Sequence, residues 1–361
     1  MRFDRFMELA LYCPGLGYYA RTEGPGPIGR SGDFYTSVSA GPLFGRMLAR
    51  QFFQMWQRLG EPEEFWMVEQ GAHDGQLACD ILEWCRAEAP RFFAGVRYAI
   101  VQAAGPARAR QECAPEADLL SRITWFEDLK ALEAAKPVGV FFSNELVDAF
   151  PVRSVTYHAG AWLEQHVGIK EGELEWIDLA MADEELARAI AGQELPEIEG
   201  YTTEFNLRAR TWIGDVAEAM ERGYVVTIDY GYPASLYYAR HRTSGTLTSF
   251  VKHHAVSDVL AEPGLRDITA HVDFTALARC GEEAGLRTLG FVDQQHFFVG
   301  IAHDEMRGAD GMQVGILQNL PAWNTLTHPH HLGVTFFALV QAKDAPGELD
   351  GLRFARPGGL D

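Results

Sequence analysis

The run Trp66-Met67-Val68-Glu69-Gln70-Gly71-Ala72-His73-Asp74-Gly75-Gln76-Leu77 reads as a strand, an acidic residue, a glycine-bearing turn and a helix in immediate succession. Gly71 and Gly75 let the backbone approach a ligand closely, and the helix that follows offers unpaired N–H groups to a carboxylate or phosphate. A dinucleotide-binding turn spaces its glycines two and then three apart, whereas these are four apart, with an acid two positions before the first. The pattern fits S-adenosylmethionine better, because the methionine end of that molecule carries an ammonium for Glu69 and a carboxylate for the helix terminus. An ordinary β-turn-α unit with Gly71 as a turn residue is the competing reading.

Further residues could do chemistry. Glu145 and Asp148 stand three apart just after a buried strand, where open α/β sheets place their sites. The alternative is that Glu145 caps the following turn and Asp148 pairs with Arg153. Asp33 lies in the glycine-flanked loop Ser31-Gly32-Asp33-Phe34, followed by Thr36 and Ser37, whose hydroxyls and amides could close over a ligand; Gly-Asp is equally a turn dipeptide. His271 is a secondary candidate for proton removal, while Asp273 reads as a helix N-cap. His328, His330 and His331 match no familiar metal spacing and read as a surface loop, so no metal is expected.

The elements that must position these groups are legible. Val96–Val101, Ile123–Phe126, Val138–Phe142, Tyr224–Asp229 and Thr288–Val292 read as strands, with a last run from Val334 to Val340. Between them come helices, one carrying Arg108, Arg110 and Gln111, others near Glu184–Ala191, Asn206–Arg222 and 273–284. Near-continuous apolar strands alternating with helices predict a parallel sheet covered on both faces. From Val152 to Trp176 the pattern changes to alternating strands with glycine turns at Gly160 and Gly172, which predicts antiparallel hairpins. Residues 1–45 are rich in glycine, proline and aromatics, which favours a lid ordered on the main unit over a floppy end.

The 361 residues suffice for one large domain with insertions or two modest ones, and 47% hydrophobic with 22% charged residues is ordinary globular composition. No apolar run reaches the length of a membrane span. The opening Met1-Arg2-Phe3-Asp4-Arg5-Phe6 has no signal-peptide core, so a cytoplasmic location is expected. Five scattered cysteines imply neither a disulfide framework nor a metal knot. A formal charge of −19 disfavours nucleic acid as substrate and favours a basic protein segment.

Several motifs converge on one family. Phe6-Met7 through Leu11-Tyr12-Cys13-Pro14 to Gly17-Tyr18-Tyr19, Gly32 to Ser37, Phe44-Gly45, Glu69 to Leu77 and Asn144-Glu145-Leu146-Val147-Asp148-Ala149-Phe150-Pro151-Val152 begin the series. Ile228-Asp229-Tyr230-Gly231, Gly245-Thr246-Leu247, Asp267 to Phe274 and Pro329 to Phe337 complete it. In that order the chain resembles the MidA-like methyltransferases, which include a mitochondrial assembly factor that methylates an arginine of a respiratory subunit. The resemblance implies a class I methyltransferase fold: a Rossmann-like, mostly parallel α/β sheet with helices on both faces. Residues 1–45 would form an N-terminal lid and 46–361 the cofactor domain, with inserted hairpin and helical elements at about 152–205.

The resemblance further implies S-adenosyl-L-methionine as cofactor. Its methionine end would lie near Glu69, Gly71 and Gly75, its adenosine near Gln102, Asp128 and Leu129, with Gly32, Asp33, Thr36 and Asn144 completing the pocket. Glu145, Asp148 and His271 would act on the acceptor, an arginine of a protein substrate such as a respiratory-complex subunit, and a homo-oligomer is compatible with this. Two positions depart from the pattern. The family carries glycine where this chain has His73, and it ends the second strand in an acid that holds the ribose hydroxyls, where this chain has Gln102. The lost charge assistance is worth about 1 kcal/mol, so weaker cofactor binding is expected. A small-molecule methyltransferase of the same fold and a non-catalytic assembly protein with a relaxed site remain as alternatives.

Overall fold

Strands that are apolar on both faces need a helical layer above and below them. The computed structural model describes residues 1–21, 37–103, 108, 111–112, 117–251, 254–306, 319–356 and 358–360, and it supplies those layers. In chain order, β1 (Phe65–Gln70), β2 (Val96–Val101), β3 (Ile123–Phe126) and β4 (Val138–Asn144) enter the main sheet. β5 (Arg153–His158), β6 (Ala161–Lys170), β7 (Glu173–Ala180) and β8 (Thr202–Phe205) form a second sheet. The chain returns to the main sheet with β9 (Arg222–Tyr232) and makes a small sheet of β10 (Thr248–Val251), β11 (His254–Val256) and β12 (Asp267–Thr269). It then pairs β13 (Val272–Asp273) with β9 and ends the main sheet with β14 (Arg287–Asp293) and β15 (Phe336–Lys343).

The spatial order is β3-β2-β1-β4-β9-β15-β14, parallel from β3 to β9, with β15 antiparallel to both its neighbours. Alternate residues feed two cores. Phe65, Met67, Val140, Phe142, Val226 and Ile228 pack with α2 (Leu43–Arg58) and α3 (Gln76–Glu88). Val68, Phe141, Val225 and Leu339 pack on the other face with the helices Leu207–Ala219 and Phe274–Glu283. This is the class I methyltransferase fold. After β1 the chain moves outward to β2 and β3, then returns to the other side of β1 as β4. That reversal opens a crevice at the carboxyl ends of β1 and β4.

The hairpins of the second sheet turn at Ala159-Gly160 and Glu171-Gly172, each with both residues at positive φ, as two-residue turns require. The helix expected to run to Arg222 stops at Ala219, because sheet pairing with Val138 claims Arg222 for β9. Arg110, Cys113, Gly32, Asp33 and Thr36 lie outside the described residues. Among the described residues no helix is long and apolar enough to cross a membrane.

At the start of the chain, α1 (Phe3–Tyr12) buries Phe3, Met7 and Leu11 against Val152, Val167 and Ile268, so it bridges the second and third sheets. Beyond it the chain folds back over its own helix end, with Tyr18 N–H donating to Ala10 O and Tyr19 N–H to Leu11 O, both at 2.9 Å. Gly17 permits that reversal, since a Cβ there would lie 2.5 Å from Cys13 N. The reversal stacks Tyr19 on Tyr12 at 5.7 Å. Because Leu11 is fully buried, Leu11→Ala should destabilise the whole protein by about 2–5 kcal/mol in thermal or urea unfolding. A change below about 1 kcal/mol would show that α1 is not part of the cooperative fold.

Candidate active site

The turn after β1 is built from residues forced into unusual backbone. Gly71 has φ +88°, His73 +42° and Gly75 +83°. A Cβ on Gly71 would lie 3.3 Å from Leu146 Cδ1, so the two lips of the crevice meet there. Gly75 is the N-cap of α3 and faces Gln111 rather than the cleft, so its contribution is conformational. Gln111 Nε2 donates to His73 O at 3.1 Å and Gln111 Oε1 accepts from Trp125 Nε1 at 3.0 Å, which ties the turn to β3. His73 lines the cleft, with Nδ1 3.6 Å from Asp74 Oδ1 and a buried Nε2 that has no partner among the described residues.

A cleft of about 1490 Å³ opens from this turn. Small-molecule pockets hold roughly 300–1,000 Å³, so it has room for more than one small ligand. Glu69, Gly71, Gln102, Asp128, Leu129, Asn144, Glu145 and Asp148 all line it, whereas His271 does not. Glu69 is buried and accepts from Tyr98 Oη at 2.6 Å; burial raises its pKa to about 7 against the opposing pull of that bond. Gln102 extends the β2–β3 pairing through its N–H to Phe126 O at 2.8 Å. Asp128 is exposed and its Oδ1 caps the short helix Leu129–Glu133 by accepting from Ala131 N–H at 2.8 Å.

At the end of β4 the chain breaks at Glu145, which has φ +54°. Glu145 Oε1 accepts from Asn144 Nδ2 at 3.0 Å and from Ser37 N–H at 3.3 Å. Its Oε2 is buried and has no partner among the described residues, as with Asp148 Oδ1 and Asn144 Oδ1. Burial, then the charge of Asp229, raises the Glu145 carboxyl to about 8. Burial, then Asp229, Asp267 and Glu145, holds Asp148 well above the usual carboxylate range. Arg153 does not relieve Asp148, because its Nε donates to Glu164 Oε1 at 2.6 Å and its Nη1 to Asp183 Oδ2 at 2.9 Å.

Three further groups face the acid pair that the spacing of Glu145 and Asp148 did not reveal. Tyr12 Oη donates to Ala149 O at 2.8 Å and Tyr19 Oη to Asp267 Oδ1 at 2.8 Å, so the N-terminal aromatics wall the cleft. Asp229 lies behind, fully buried. His271 is instead packed against Tyr232 at 5.2 Å, with its pKa pushed down to about 4 by burial and then by Arg242, which makes it a weak base away from the cleft. Asp273 caps the helix Phe274–Glu283. His328, His330 and His331 stand exposed in a turn.

A family model described as S-adenosyl-L-methionine-dependent methyltransferase matches residues 47–292. A crystal structure from Burkholderia thailandensis with S-adenosyl-homocysteine bound is 33% identical with a TM-score of 0.86, over 99% of this chain and 92% of that one. The protein arginine methyltransferase NDUFAF7 homolog of Drosophila melanogaster is 24% identical over 92% of this chain and 79% of its own. Its Homo sapiens counterpart is 24% identical over 97% and 81%. The expected cytoplasmic location is overturned by these curated relatives, which are all named as mitochondrial. The cofactor is S-adenosyl-L-methionine. By the match over most of its length and by its likeness to the Burkholderia structure, the chain belongs to the family of S-adenosyl-L-methionine-dependent methyltransferases.

Proposed function

We propose that the protein is an arginine N-methyltransferase acting on a protein substrate, with residues 1–45 as a cap on the cofactor domain 46–361. The observation that carries this reading is the acid pair: Glu145 and Asp148 both line the cleft, and among the described residues each keeps one buried oxygen with no hydrogen-bond partner. Such oxygens are costly unless a donor reaches them. A guanidinium brings five N–H donors in a planar fork and a permanent charge, which would satisfy both carboxyls and draw their pKa values down. The curated relatives' description as arginine methyltransferases supports the same acceptor.

In this reading Glu69, Gly71 and the first turn of α3 hold the methionine end of the cofactor, and Gln102, Asp128 and Leu129 the adenosine. When bound, the cofactor supplies an electrophilic methyl on a sulfonium. Glu145 and Asp148 orient one guanidinium nitrogen along the line of displacement, which is where most of the rate gain of such a reaction lies. Tyr12 and Tyr19 keep water from the reacting groups. Replacing one N–H by N–CH3 releases one proton, and the nearest acceptor is the carboxylate of Glu145 or Asp148.

Gly71→Val should abolish binding of S-adenosylhomocysteine measured by calorimetry, because the side chain fills the space where backbone meets ligand and the residue sits at positive φ. Unchanged affinity in a folded variant would remove the methionine end from this turn. Glu145→Gln and Asp148→Asn should keep cofactor affinity within about threefold while lowering labelled-methyl transfer at least about a hundredfold. Glu145→Gln should also stabilise the unliganded protein near pH 8. A carboxyl whose folded pKa lies above its unfolded one binds the extra proton in the folded state, so stability falls as pH rises from about 4.5 to about 8, and the amide escapes that loss. A thermal melt in which Glu145→Gln is less stable than wild type near pH 8 would give Glu145 a structural role instead.

A further inference from the structure

We infer that Asp229 is the positioning residue of the acceptor site: its buried carboxylate gathers the amides of Leu146, Val147 and Asp148 and so sets the turn on which Glu145 and Asp148 stand. The inference rests on the arginine reading and deepens it. The last rung between β4 and β9 is Glu145 N–H to Ile228 O at 3.0 Å. Beyond that rung β4 breaks at the left-handed Glu145, and the three N–H groups that follow leave the strand ladder. Asp229 Oδ2 accepts all three, at 3.2 Å from Leu146, 2.9 Å from Val147 and 3.3 Å from Asp148, while Oδ1 accepts from Tyr230 N–H at 2.8 Å. Asp229 itself is fully buried and does not line the cleft, so it acts through the turn rather than on a ligand.

The same carboxylate also sets the charge of the site. Asp148 is faced by Asp229, Asp267 and Glu145, with Tyr12, Tyr19 and Tyr230 around them and the Arg208 guanidinium acting on Tyr12. A neighbouring negative charge raises the pH at which Asp148 ionises. Removing the charge of Asp229 while keeping an oxygen acceptor therefore lowers that pH.

The test is the initial rate of labelled-methyl transfer from S-adenosylmethionine into a lysate of a strain lacking this protein, followed from about pH 5 to 9. Asp229→Asn should move the acid limb down by about one pH unit and cut the rate at the optimum at least about tenfold. Asp229→Glu, which keeps the charge but displaces the oxygens, should lose rate with the acid limb unmoved, and Asp229→Ala should be slower than Asp229→Asn. Affinity for S-adenosylhomocysteine should stay within about threefold in each. Wild-type rates and an unmoved acid limb in Asp229→Asn would overturn the inference. Should these variants fail to fold, hydrogen exchange on the wild-type protein decides: amides 146–148 should be protected like those of β4, and fast exchange there overturns it. If Glu145→Gln and Asp148→Asn leave transfer intact, the arginine reading fails; if they suppress it and the Asp229 variants do not, only the present inference fails.

Discussion

Two neighbouring parallel strands whose chains leave in opposite directions create a crevice that no loop of either strand can fill, and here it lies between β1 and β4. Everything at the site depends on that reversal. One lip carries Glu69 and Gly71, the other Asn144 to Asp148, and they approach closely enough that a Cβ on Gly71 would press on Leu146 at 3.3 Å. The next strand, β9, lies on the far side of β4 and delivers Asp229 beneath the second lip. The second sheet and α1 then close the open side with Tyr12 and Tyr19.

Such a site is an expense to the fold. Glu69, Glu145, Asp148 and Asp229 all have carboxyls raised by burial, and no salt bridge relieves these four among the described residues. Two extensive apolar cores on either side of the sheet offset the cost. By contrast Arg153, equally buried, sits between Glu164 and Asp183 and is paired in the manner of a structural group. The contrast separates a buried charge that is paired within the second sheet from buried carboxyls that the described residues leave without a cation.

The sheet was legible because its strands are short apolar runs between turn residues, and the hairpins because Gly160 and Gly172 mark two-residue turns. Glu69, Gly71, Glu145 and Asp148 were legible as acids and glycine at strand ends. Asp229 was visible as an acid ending a strand, but its partners are backbone amides some 80 positions earlier, and backbone groups carry no residue signature. His271 was read toward the site because it precedes a helix cap; its burial against Tyr232 follows from tertiary packing that spacing does not encode. The helix end near Arg222 was overrun because pairing with β4 overrides local helix preference there.

The two positions read in the sequence as departures from the resembled family, His73 and Gln102, both line the cleft. His73 has a left-handed backbone, at φ +42°, a conformation with a modest cost for a histidine. The backbone conformation is held from outside, by Gln111 on the His73 carbonyl and Trp125 on Gln111. Gln102, at the end of β2, offers a neutral partner where an acid would offer a charged one. On the other lip, Asp229 Oδ2 accepts from the Asp148 N–H at 3.3 Å and Glu145 Oε1 accepts from Asn144 Nδ2 at 3.0 Å. A fold that had merely kept its shape while losing its chemistry would have no reason to retain this burden of buried carboxyls, since replacing them by apolar side chains stabilises a core.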